Sequence, residues 1–127
     1  MKRYSIAAAL VAATLANSAF AQAAPDPVAG KRLFGQCMVC HRAEPNQPDM
    51  IGPNLAGVYK SKAATRRPKF AYSPALKASK LIWDDATLDK WLTDPAKLVP
   101  GTKMEFIGVS RKPARDNIIA YLKTLSK

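Results

Sequence analysis

The chain's two cysteines and its one histidine stand together in Cys37-Met38-Val39-Cys40-His41, and this run limits the available folds and chemistries more than any other feature. A disulfide between thiols three positions apart closes too short a loop to constrain the unfolded chain, so the pair needs another use. A redox-active C-x-x-C belongs beside a strand-helix-strand pattern, which is missing here, and zinc needs more Cys or His ligands than remain. A zinc cage would have only Cys37, Cys40, His41 and a carboxylate.

The same spacing meets the requirement of a covalently attached c-type haem. Two thiols separated by two residues reach the two vinyl groups on one edge of the macrocycle, and the adjacent His41 presents a ring nitrogen to the iron from that side. One haem c, attached through Cys37 and Cys40 with His41 as an axial metal ligand, is therefore the expected cofactor. A thioether is the natural sixth ligand of an electron-transfer iron, because it raises the reduction potential. Of four methionines, Met1 belongs to the leader, Met38 lies inside the attachment segment, and Met50 follows His41 by nine residues and should stay on the proximal side. Met104, in Pro100-Gly101-Thr102-Lys103-Met104, is far enough along the chain to come round the opposite face. A core methionine is ordinarily a gap-filler; next to a haem motif it becomes the second candidate metal ligand.

Lys2 and Arg3, the apolar stretch from Ile6 to Ala16 and the small-residue end Ala19-Phe20-Ala21 read as a secretory signal peptide, residues 1–21, with cleavage as late as Ala24 as the alternative. A retained anchor fits less well, since the apolar run is shorter than the ~20 residues a span requires. Residues 22–127 then form a single exported domain, expected in a bacterial periplasm. About one hundred residues is the small end of what a hydrophobic core alone holds together, so a bound group should support it.

The net charge of +11 falls to +9 without Lys2 and Arg3. It calls for an acidic partner or surface. Nucleic acid is excluded by export and by the even spread of Lys and Arg from Lys31 to Lys127.

Asp26-Pro27, then Val28, Ala29, Leu33 and Phe34, predict a capped first helix running up to the cysteines. Residues 42–70 carry Pro45, Pro48, Gly52, Pro53, Gly57 and Pro68 and predict a long loop of the kind that wraps a bound group. Ser73-Pro74 opens a short helix to about Ser79. Asp84 or Asp85 caps another, with Leu88, Trp91 and Leu92, that Pro95 stops. Leu98 to Val109 reads as irregular. Ala114, Ile118, Tyr121, Leu122 and Leu125 recur at helical spacing, with Arg111, Lys112, Lys123 and Lys127 outside the stripe, and predict an amphipathic C-terminal helix. No strand alternation appears, so the fold class is all-α, with short helices and long loops.

From about Val28 onward the chain resembles the class I cytochromes c, the family of mitochondrial cytochrome c and its soluble bacterial relatives. The matching pieces are Gly30 and Phe34, Cys37 to His41, Gly52-Pro53-Asn54-Leu55, Phe70-Ala71-Tyr72, Trp83, Asp94-Pro95, Pro100 to Met104, and Tyr121-Leu122. The resemblance implies that the Pro53 carbonyl orients His41, that Tyr72 and Trp83 bond a buried haem propionate with Thr102 as a further polar neighbour, and that the first and last helices cross at Gly30. Two departures stand out. Lys60-Ser61 replaces the family's Gly-Arg, so the arginine that faces a propionate is absent at Ser61, with Lys62 and Arg66 as candidate substitutes. Trp91 stands where a tyrosine commonly lies near the methionine sulfur.

The function implied is one-electron transfer without a substrate site, hence not an enzyme, by a monomer that docks on acidic-faced redox proteins, membrane-bound complexes included. Lys97 and Lys103 are the candidate docking cations. A dedicated electron-transfer subunit of a dehydrogenase stays open. A haem peroxidase or gas-binding protein would want a distal base, and no histidine remains for one after His41.

Overall fold

The computed structural model describes residues 21–126. The expected leader falls, Ala21 apart, outside these residues. Five α-helices and one 3-10 turn are strung on long loops, as the all-α reading expects.

Helix α1, Pro27–Leu33, starts where Asp26 accepts a hydrogen bond from the Val28 N–H, with Pro27 in the first turn. It tightens into a 3-10 turn, Phe34–Val39, which carries Cys37. The predicted first helix is thus two elements, because the backbone closes more tightly as it approaches the cysteines. Helices α2, Pro74–Ser79, and α3, Asp85–Thr93, have the boundaries the capping residues imply: Ser73 accepts from the Leu76 N–H and Asp84 from the Thr87 N–H. Helix α4, Pro95–Leu98, is a single turn capped by Asp94 that no periodicity could reveal. Helix α5, Lys112–Thr124, buries Ile118, Ile119 and Leu122, and also Arg115.

Helices α1 and α5 cross at Gly30, where a Cβ would lie 1.9 Å from the Asn117 carbonyl oxygen, so only glycine permits the approach. The Phe34 and Tyr121 rings meet beside the crossing at 5.1 Å between centroids. Phe34, Leu88, Leu92, Ile118 and Leu122 form the floor of the core, with Trp83 packed on Trp91 at one side. Between His41 and Ser73 the chain is loop and turn, as expected, and Lys62 and Ile82 form an isolated antiparallel bridge. Among the described residues, no helix is long and apolar enough to cross a membrane.

Candidate haem site

The loops and helices enclose a cavity of about 520 Å³. The 3-10 turn delivers Cys37 to one side of it, and Cys40 and His41 follow directly. The two cysteines form no disulfide and are half-buried. Burial and the neighbouring Cys40 push the Cys37 thiol up to about 11, the reverse of the lowered pKa that a redox-active dithiol requires.

His41 is buried, and its Nδ1 lies 2.7 Å from the Pro53 carbonyl oxygen. A carbonyl only accepts, so Nδ1 carries the proton and donates, which leaves the Nε2 lone pair of the neutral ring free to bind a metal. Burial lowers the pKa of His41, while the bond to Pro53 acts the other way. Gly52 packs against the ring face: a Cβ there would stand 2.4 Å from Cε1.

A buried asparagine holds this wall. Asn54 is 2% exposed; its Nδ2 donates to the Glu44 and Gln47 carbonyls, its Oδ1 accepts from the Ala56 N–H, and its own N–H donates to Asp49. Arg67 donates to the same carboxylate oxygen at 2.7 Å, tying the two limbs of the long loop together. The sequence pattern contained Asn54 but gave no sign of this network, whose acceptors are backbone carbonyls of residues that turn back only in the fold.

Another part of the wall comes from the segment after α4. Thr102, Met104 and Phe106 line the cavity, and the Met104 N–H donates to Thr102 Oγ1 at 3.2 Å. Among the described residues, neither Met38 nor Met50 lines it, so Met104 is the thioether facing the space that His41 borders. Tyr72, Trp83, Trp91, Ser61, Lys62 and Arg66 also lie on its wall. Ser61 turns its hydroxyl to the Val58 carbonyl, and the Arg66 guanidinium packs over Gly57 with a long bond, 3.4 Å, to the Ala56 carbonyl. Lys97 is exposed on α4, whereas Lys103 donates to the Ala71 carbonyl at 3.1 Å, bridging the methionine segment to the loop before α2.

A largely apolar cavity with two thiols on its wall, one metal-ready imidazole and one thioether is what a covalently held haem needs, and the residues present fit that group. The chain belongs to the cytochrome c family: the family's sequence profile, Cytochrome c, matches residues 27–126. It is 48% identical over 120 residues to cytochrome c2 of Rhodomicrobium vannielii, covering 94% of this chain and 95% of that one. Cytochrome c2 of Rhodoblastus acidophilus is 48% identical over 78% of this chain and 92% of its own. Among solved structures, cytochrome cH from Methylobacterium extorquens superposes with a TM-score of 0.74 at 48% identity, over 78% of this chain and 98% of that one. The cofactor is accordingly one covalent haem c, and the chain is an electron carrier and not an enzyme.

Proposed function

We propose that residues 22–127 form an exported domain, released from the signal peptide 1–21, that shuttles single electrons between acidic-faced oxidoreductases in a bacterial periplasm as a monomer, with its haem iron held by His41 and Met104. One observation carries this reading: His41 and Met104, sixty-three positions apart, border one cavity whose wall also holds Cys37 and Cys40. Bound haem c supplies the one-electron couple. Cys37 and Cys40 anchor it, and Pro53 fixes the imidazole so that no ligand need move between redox states. Tyr72, Trp83 and Thr102 take the propionate-side polar contacts, and with Ser61 too short to reach a carboxylate, Arg66 and Lys62 are the cations on that wall.

Absorption spectra test the ligands. Sharp low-spin bands on reduction, and a weak far-red band in the oxidised protein that Met104→Ala abolishes, are expected. High-spin spectra that change with carbon monoxide would instead mean an open iron and sink the His41 and Met104 assignment.

A second reading, a dedicated electron-transfer subunit of a dehydrogenase, has one observation in its favour. Ile107 is 96% exposed, Ile51 79% and Val39 70%, and a dedicated partner would cover such side chains if they adjoin. Elution with a larger protein from native periplasm, resistant to salt, would favour that subunit over the free carrier.

A further inference from the structure

Arg115 has no part in holding the haem, yet it is buried, with its side chain 9% exposed. Its Nε donates to Asp89 Oδ1 of α3 at 2.8 Å, and its Nη1 donates to the Val109 and Ser110 carbonyls at 2.9 and 2.7 Å. Those carbonyls are the C-terminal end of the segment that carries Met104. Two more contacts grip the same place: the Val109 N–H donates to the Leu92 carbonyl at 2.7 Å, and Gly108, at φ +98°, lies so near the end of α3 that a Cβ would stand 2.0 Å from the Thr93 carbonyl oxygen. The N-terminal end is held by Thr102 on Val99 and by Lys103 on Ala71. Between these anchors, residues 105–108 make no hydrogen bond among the described residues, and Ile107 faces solvent.

We propose that Arg115 is a positioning residue for the sixth ligand: by clamping Val109 and Ser110 to α3 and α5 it sets how often the segment opens and releases Met104 from the iron. The proposal rests on the reading of Met104 as that ligand. A thioether is a weak donor to iron, so its hold depends on the chain keeping it in place. A segment fastened only at its ends opens when one end lets go. The buried guanidinium, with three charge-assisted bonds to two different elements, is the strongest fastening at the C-terminal end.

Imidazole added to the oxidised protein reports this opening, because it binds only when Met104 has left. Its apparent dissociation constant falls in proportion to the rise in the open fraction. In Arg115→Met, imidazole should displace the far-red band at a concentration at least tenfold lower than in the unaltered protein. Arg115→Lys and Asp89→Asn should lie between. Lys112→Gln, on the same helix but paired with Asp116 on the surface, should leave the affinity unchanged. A lowered urea midpoint in Arg115→Met with unchanged imidazole affinity would make the residue merely structural and overturn the proposal. If Arg115→Met does not hold its haem, unchanged affinity in both Arg115→Lys and Asp89→Asn overturns it equally. A far-red band absent from the unaltered protein, or surviving Met104→Ala, defeats the Met104 reading itself, a failure that the spectra distinguish from the first.

Discussion

Gly30 of α1 meets Asn117 of α5 backbone to backbone, with space for a hydrogen but not for a methyl group. The Asn117 side chain reinforces the contact by accepting from the Asp26 N–H at 2.8 Å. A Cβ at Gly30 must therefore separate two helices, because the nearest atoms are main chain and cannot rotate away. Gly30→Ala should destabilise the protein by about 3 kcal/mol, a fall in Tm of roughly 15 °C. Gly35, with nothing within 4 Å of its would-be Cβ, is the control. Gly35→Ala should stay within about 1 kcal/mol of the unaltered protein, and thermal unfolding followed by circular dichroism checks both.

Acid should loosen the proximal side before it unfolds the rest. Burial holds the pKa of His41 below its ordinary value, so between that lowered value and about 6.5 the unfolded chain binds a proton that the folded chain does not. Stability then rises with pH across the window and is lost as pH falls through it. Iron held at Nε2, as proposed, would compete with the same proton and act in the same direction. The urea midpoint should decline from pH 7 downward, starting above the range where carboxylates titrate. Gly52→Ala, which drives a methyl into the ring, should bring on the spectral change at higher pH than in the unaltered protein.

Asn54 carries the loop that forms the proximal wall. Its truncation leaves the partly buried bonds of the Glu44 and Gln47 carbonyls and the Ala56 N–H without their partner, and each unsatisfied group costs about 1–3 kcal/mol where water cannot replace it. Asn54→Ala should lose about 2–3 kcal/mol in urea unfolding. Asn54→Asp should fare no better, because it keeps the acceptor for Ala56 but turns carboxylate oxygens toward the Glu44 and Gln47 carbonyls. Equal stability of Asn54→Asp and the unaltered chain would mean that the two donated bonds contribute nothing.

What the sequence made legible was local. Asp26, Ser73 and Asp84 each announce a helix start by a side chain that bonds an N–H two or three residues on, so the beginnings of α1, α2 and α3 follow from short-range chemistry. The haem motif is equally local. Helix α4 escaped notice because one turn is too short for a period. Arg115 and Asn54 escaped for another reason: a charged residue and an amide look solvent-bound until Asp89, Val109, Glu44 and Gln47 arrive from elsewhere in the chain to satisfy them. Lys103, expected as a docking cation, is partly engaged by the Ala71 carbonyl, a contact that pairs residues 32 positions apart and leaves no trace in sequence.

Charge should govern the speed of docking more than its strength. With a net charge of +9 once Lys2 and Arg3 leave the chain's +11, attraction to an acidic face acts beyond contact distance and is screened as the Debye length shrinks from about 30 Å at 0.01 M salt to about 8 Å at 0.15 M. The bimolecular rate of electron transfer to an acidic-faced oxidase or reductase should fall by about tenfold or more across that range. Lys97 is exposed on α4, close in sequence to the methionine segment, and no carboxylate among the described residues pairs with it. Lys97→Glu should therefore lower the rate at low salt several-fold more than at 0.15 M, where the two proteins converge. Lys112→Glu, on a helix already balanced there by Asp116, should change it less. Stopped-flow rates at the two ionic strengths decide the matter, and a rate indifferent to salt in every variant would remove the acidic partner in favour of an apolar one.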